Sequence, residues 1–425
     1  RDVTGVQTCA LPIWVQNCLS YRVHPDKEHG LVLDTIPKDV KLVIAPDSSS
    51  NDYDVHKALH DRGCDVLVID HHLADHVSEY ACVINNQMCD YPTKSLSGVG
   101  MVYKFCSYLD ELMGEHMAQE YTDLAAIGIV ADVMDLRDFE TRHIIELGMN
   151  YQRNPFVREM MKRQDFKIQG VLNPFNIGFY IAPFINAVNR SGTVEERTLL
   201  FESMLEFKAY EQIPSTKRGC KGQNETRVEQ AVRTCSNVKN RQTKTRDTTQ
   251  EIIEQIIEQE GLLDHVLLAI RLPKSKAADR NLTGLVATQL ANKYGHPTII
   301  LNETCHNGEK WWEGSMRGAP NIPITDTRQM LLDTDLIEYC EGHANAAGVG
   351  VKDDLFDLLI DHIDQKYKDI DFSPKYLVDD ILDCTNVQAV GQDVSDIASY
   401  KDYWGEGIRE PLFAFTKIKI TKDNC

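Results

Sequence analysis

Apolar residues arrive in this chain as short unbroken runs that stop at charged or small polar residues. Amphipathic stretches long enough for helices lie between them. Val40 to Ala45 (VKLVIA) runs into Pro46-Asp47-Ser48-Ser49-Ser50-Asn51-Asp52, and Val66 to Ile69 runs into Asp70-His71-His72. Continuous β-branched runs of this kind predict strands buried in a parallel sheet. Between them, Tyr53 to Arg62 has helical spacing and closes at Gly63, a residue suited to the turn past a helix end. The product is a βαβ unit whose parallel strands bring both polar clusters to one sheet edge, so Asp47 and Asp70 are expected close together. Cys82 to Asn85 predicts a third strand, and Ser97-Gly98-Val99-Gly100 opens a helix to about Met113. A further helix, Glu120 to about Met134, is apolar nearly all round and therefore buried, yet it carries Asp132 at its end.

The pattern continues after a break. Asn186 to Gly192 precedes a helix from about Val194 to Phe207, where Arg190 and the backbone suit a phosphate contact or a plain turn. Lys217 to Arg246 holds nine Lys or Arg against two Glu and flows into helical Asp247 to Gln259. It reads as a solvated connecting helix or as a track for a phosphate backbone. A second α/β block follows: strand Val266 to Ile270, helix Leu282 to Ala291, strand Thr298 to Leu301, then Trp311 to Arg317 and Glu341-Gly342-His343-Ala344-Asn345-Ala346-Ala347-Gly348. Small residues around a histidine let a ligand approach the backbone, or let two strands pack tightly. A helix spans about Asp354 to Tyr367. The tail from Asp371, with a strand at Leu412 to Ile420, reads as an incomplete third module.

Composition narrows the function. At 425 residues, with 42% hydrophobic and 26% charged positions, the chain has the profile of a soluble protein of several domains. A formal charge of −19 argues against wholesale coating of nucleic acid but leaves room for a local basic groove. Twelve cysteines stand without any C-x-x-C pair, which points to reduced thiols, no zinc site and a cytoplasmic setting. No apolar run is long enough to span a membrane. An isolated Asp-His-His is read equally well as the polar cap of the next helix. A buried carboxylate at Asp132 asks for a partner, a cap or a metal. Oxygen and imidazole donors without thiolates favour manganese or magnesium.

Together, Asp47, the Asp70-His71-His72 triplet and Asp132 resemble the DHH phosphoesterase superfamily in order and spacing. The second block resembles its DHH-associated domain through Gly314-Ser315-Met316-Arg317 and the Gly-His-x-x-Ala-Ala-Gly run from Gly342 to Gly348. Tyr21-Arg22-Val23-His24-Pro25, the long connector and the tail are similar to the RecJ-type branch. Arg1 to Ile13 carry no helical or strand period and read as an appended, non-native leader; the resemblance implies a DHH domain over 14–205, a helical connector over 206–262, a substrate-binding domain over 263–370 and a partial oligonucleotide-binding (OB-like) β-barrel over 371–425. The fold class is thus α/β, with two α/β domains, the first holding a parallel sheet. The implied activity is two-metal phosphodiester hydrolysis, a 5′-to-3′ exonuclease on single-stranded DNA in repair or recombination. Asp47, Asp70, His71 and Asp132 would hold the metals, with His72 and Asp70 catalytic. Arg190, Arg317, Gly342, His343, Ala346, Ala347 and Gly348 would bind substrate. A monomer is implied, with a single-strand-binding protein or helicase as further partner. Hydrolysis of short oligonucleotides or cyclic dinucleotides, and nucleic-acid binding without cleavage, are the alternatives. The sequence also departs from the pattern. Glu341 and Asn189 stand where glycines are usual, and nothing upstream of Tyr21 except the lone Asp2 supplies the usual first Asp-x-Asp strand. The expected consequence is a truncated chain of weak or no activity.

Overall fold

The computed structural model describes residues 19–25, 30–373 and 375–419; the leader at 1–13 and Asp2 lie outside the described residues. The chain divides into two compact units, Arg1–Val238 with Val394–Glu410, and Lys239–Asp393 with Pro411–Cys425.

In the first unit, β1 (Leu42–Pro46), β2 (Asp65–Asp70) and β3 (Cys82–Asn85) form a parallel sheet in the order β1-β2-β3. The helix Tyr53–Asp61 makes the crossover from β1 to β2 and ends at Gly63, whose φ is 76°. β2 is buried at Val66, Val68 and Ile69, as its run of apolar residues predicts. β1 departs from that expectation: Leu42 and Ile44 are each 53% exposed, because β1 is an edge strand among the described residues. Pro46 pairs with Ile69, and Asp70 with Asn85, so the residues leaving all three strands meet at one edge.

Behind that edge pack the helices Gly98–Met113 and Thr122–Ala131. Ser97 caps the first, and it stops at Gly114 with φ 71°. The second is buried at Ala125, Ala126, Ile127 and Ile129, and Asp132 is its C-cap. Two helices that hydrophobic spacing did not suggest, Phe139–Asn150 and Pro155–Arg163, are started by Asp138 and Asn154, whose side chains accept from backbone N–H groups of the first turn. Asn186 to Ser191 also differs from expectation. These residues form the last turns of the helix Ala182–Ser191 rather than a loop, and their backbone N–H groups serve the helix instead of facing a phosphate. The following helix, Val194–Met204, takes its own capping box from Thr193 and Glu196.

A stretch from the far end of the chain completes this unit. In Val394–Glu410, the Glu406 carbonyl accepts from Leu136 N at 2.9 Å, and Asp402 Oδ1 accepts from Asn173 Nδ2 at 2.6 Å.

The hairpin of β4 (Gln212–Pro214) and β5 (Asn224–Thr226) leads to a single helix, Arg227–Glu260. Val228, Val232, Cys235 and Val238 join the core of the first unit; Ile253, Ile256 and Ile257 join the core of the second. Three cations of the basic run are already paired. Arg227 pairs with Glu202 and Glu211, Arg233 with Glu225, and Arg246 with Asp247.

The second unit is a five-stranded mixed sheet in the order β6-β7-β8-β10-β9, with β6 Leu268–Leu272, β7 Thr298–His306, β8 Glu309–Arg317, β9 Tyr339–His343 and β10 Ala346–Lys352. β6 and β7 are parallel; the remaining pairs are antiparallel. The helix Arg280–Tyr294 buries Val286, Ala287 and Leu290 with Ile270 and Ile300 on one face. The helix Asp353–Tyr367 buries Phe356, Leu359 and Ile363 in the other core cluster, with Met316 and Val349. In the tail, β11 (Asp380–Asp383) and β12 (Phe413–Thr416) pair in parallel, with the helix Val387–Ala398 between them in sequence. No helix among the described residues is long and apolar enough to cross a membrane.

Candidate metal centre and substrate-binding strands

Asp47 follows β1 directly, and its N–H still bonds Ile69 O at 2.8 Å, so the side chain is delivered at the strand end. The backbone there is bent. Asp47 has φ 59°, Ser49 has φ 78°, and Val133, beside Asp132, has φ 57°. Non-glycine residues in this region carry strain, most of all a β-branched valine.

His71 Nε2 lies 3.2 Å from Asp47 Oδ1 and 3.3 Å from Asp132 Oδ2. Asp47, His71 and His72 present ligand atoms within 4.8 Å of one another. The two imidazoles are 4.4 Å apart at 58°, so neighbouring residues are turned to different tasks. The hydrogen bond to Asp47 raises the His71 pKa; burial opposes this, and the Asp132 charge adds to it. Burial raises the pKa of Asp132, His71 lowers it in part, and Asp47 adds like-charge repulsion. Carboxylates gathered against one another around an imidazole suit a divalent cation, and the absence of thiolates suits a hard one.

Asp70 is only 1% exposed, and both its oxygens are engaged. Oδ1 accepts from the N–H groups of His71 (2.8 Å) and His72 (3.3 Å) and contacts His72 Nδ1 at 2.7 Å; Oδ2 accepts from Ser50 N at 3.2 Å. Burial alone would raise its pKa, but these hydrogen bonds hold it below the ordinary value. Of the two roles the resemblance implies for Asp70, holding metal or orienting its neighbours, these contacts are of the second kind, with His72 as the residue oriented. With Nδ1 bonded to Asp70, the neutral tautomer leaves the lone pair of Nε2 free.

Two supporting residues are not marked by the sequence pattern. Asn85 donates to Ser50 Oγ (3.0 Å) and to His72 O (2.8 Å), tying the two loops together. Gly98 lies so close to Asp47 that an added Cβ would stand 2.1 Å from Oδ1. The adjoining helix start also favours a carboxylate electrostatically. The signal was the Ser-Gly-x-Gly opening, which had been read only as a helix start. Arg190 is exposed in the last turn of its helix, in the same unit.

In the second unit, the register aligns Arg317, Ala346 and His343 across β8, β10 and β9. Gly342 has φ 136°, and a Cβ there would meet Ala346 O at 2.6 Å, so no other residue fits comfortably. Ala347 is buried, and a Cβ on Gly348 would make ordinary contact with backbone oxygens at 3.9 Å. The β9–β10 turn is pinned by Arg328 N to Ala344 O (2.8 Å), Gly318 N to Asn345 O (2.9 Å) and Asn345 Nδ2 to Thr325 O (2.8 Å). His343, exposed on that turn, is therefore held in place by Asn345, whose role the sequence did not reveal.

Residues 8–129 match the model of the DHH family, N-terminal domain. The chain is 37% identical over 408 residues to a putative SPbeta prophage-derived single-strand DNA-specific exonuclease, YorK, of Bacillus subtilis, covering 95% of this chain and 69% of that protein. It is 29% identical over 349 residues to the single-stranded-DNA-specific exonuclease RecJ of the same organism, covering 80% of this chain and 40% of RecJ. The crystal structure of RecJ in complex with Mn2+ from Thermus thermophilus shares its fold, with a TM-score of 0.65 at 20% identity, over 88% of this chain and 52% of that one. The chain belongs to the DHH family of phosphoesterases, in its RecJ-like branch.

Proposed function

We propose that this chain hydrolyses phosphodiester bonds at the end of single-stranded DNA, in the 5′-to-3′ direction, with manganese or magnesium at Asp47, His71 and Asp132. One observation carries the reading: His71 Nε2 stands between the carboxylates of Asp47 and Asp132, which are far apart in sequence. The names of the relatives supply the substrate class. Divalent cations held there would neutralise phosphate charge and lower the pKa of an attacking water. Asp47, whose exposed carboxylate lies beside His71, would be the residue shared between two of them. His72 directs Nε2 at the scissile phosphate, and Asp70 stabilises the imidazolium when that nitrogen carries a proton. Arg190 is the candidate strand contact of the first unit; Arg317, His343 and the small-residue run Gly342, Ala346, Ala347 and Gly348 are those of the second. In a cytoplasmic setting such an activity serves repair or recombination, with a helicase or single-strand-binding protein presenting the strand.

The test uses the full chain with 5′- and 3′-labelled single strands and manganese, beside Asp132→Ala and a chelator control. Stepwise release of mononucleotides from the 5′ end, lost in both controls, supports the reading. Absent cleavage by the wild type, or cleavage that survives chelation, overturns it.

A further inference from the structure

Resting on that reading, we propose that Tyr339 forms the end wall of a one-nucleotide trough on the second unit and presents its ring to a base of the bound strand. The trough follows from register. Residues opposite one another in an antiparallel sheet share a face, and successive same-face residues stand about 7 Å apart along a strand. Ala346, Gly348 and Gly350 of β10 therefore form a floor. Arg317, Ser315 and Glu313 of β8 line one side of it, and His343, Glu341 and Tyr339 of β9 line the other.

The three rows differ in what fills them. At the first, Arg317 and His343 offer cationic and hydrogen-bonding groups suited to a phosphate. At the second, no side chain lies over Gly348: the atoms nearest an added Cβ are backbone oxygens at 3.9 Å, and on the β8 side Ser315 Oγ lies 2.8 Å from Thr283 Oγ1 of the helix Arg280–Tyr294. At the third, the Tyr339 ring lies across Gly350, where an added Cβ would meet its Cε1 at 2.2 Å. The wall is fixed from behind: Tyr339 Oη donates to Glu313 Oε1 at 3.0 Å, and His306 Nε2 lies 3.0 Å from Glu313 Oε2. An aromatic ring anchored by its hydroxyl, half-buried, with one row of small floor residue between it and a phosphate-binding pair, offers a sequence-tolerant stacking surface to any base. Burial first, then the bond to Glu313, pushes its hydroxyl up to about 12, so the ring stays neutral in any ordinary assay.

The experiment moves a single abasic residue along a short single strand. It measures affinity in chelator and kcat/KM in manganese for wild type, Tyr339→Leu and Tyr339→Phe of the full chain. The wild type is expected to lose about five- to tenfold at one strand position when its base is missing, the lower part of the range for base–aromatic stacking. Tyr339→Leu should flatten that position alone, and Tyr339→Phe should restore it. If Tyr339→Leu loses equally on every strand, intact or abasic, the residue is merely structural and the proposal falls. It also falls if the abasic profile is unchanged by Tyr339→Leu. Failure of the wild type to bind or cut any single strand would instead remove the exonuclease reading itself, and Tyr339's role with it.

Discussion

The two candidate sites are made in opposite ways. In the first unit every group is held: Asp70 by four contacts, His71 between two carboxylates, and the backbone bent at Asp47, Ser49 and Val133. In the second unit the candidate surface is built on the small residues Gly342, Ala346 and Gly348 and bordered by exposed His343 and Glu341 and half-buried Arg317 and Tyr339. Charge that must stabilise a transition state has to be fixed beforehand, whereas a strand that must slide through needs room and a few contacts. The first site should therefore govern turnover and the second affinity.

The largest effect is expected where the fixed charge is removed. Asp132→Ala should lower kcat by at least about a thousandfold, with single-strand affinity in chelator nearly unchanged. If affinity falls as far as turnover, the division of labour is wrong. Next, Gly98→Ala should cost roughly ten- to a hundredfold in kcat, since its Cβ occupies the place of the Asp47 carboxylate. Circular dichroism should show the fold retained, and a variant with normal turnover would show that Asp47 has freedom the structure does not suggest. On the other side, His343→Ala should raise KM about tenfold and leave kcat within about threefold. A kcat effect larger than the KM effect would move His343 to the chemical step.

Stability effects are smaller. Val133→Gly should stabilise the protein by about 1 kcal/mol in urea melts, because it relieves a β-branched residue at φ 57° whose side chain is mainly solvent-exposed. The cost should be a modest loss of activity as the loop beside Asp132 loosens. Smallest of all is the contribution of Glu313. Burial would raise its pKa, but hydrogen bonds from His306, Thr304 and Tyr339 hold it below the ordinary 4.5. A depressed carboxylate stabilises above its unfolded pKa and loses that contribution as pH falls through the folded value. The stability gap between wild type and Glu313→Gln, about 1 kcal/mol at pH 7, should therefore close below about pH 4.5. A gap that persists at pH 3 would rule out the charged form as its source.

Much of this was legible beforehand because strand ends carry their own punctuation. The runs before Asp47 and Asp70 fixed a parallel edge, and the apolar helix before Asp132 marked a carboxylate in an unlikely place. What stayed hidden depended on contacts between distant residues. Gly98 looks like any helix-opening glycine until Asp47 is placed against it, and Asn85 like any polar strand end until two loops lean on it. Asn186 to Ser191 reads as a turn because Asn and Ser disfavour helix interiors, yet packing of Ala187 and Val188 in the core overrides that preference. The edge position of β1 was likewise beyond the reach of local hydrophobicity, which cannot count neighbours.

The stretch Val394–Glu410 has a consequence in time. Leu136, just past Asp132, donates to the carbonyl of Glu406, so the loop beside Asp132 is clamped by a residue far along the chain. During synthesis the N-terminal part emerges first and folds first. The clamp arrives only after the whole sheet of the second unit has left the ribosome. A nascent chain thus carries Asp47, His71 and Asp132 without that contact until Glu406 has been translated and has left the ribosome.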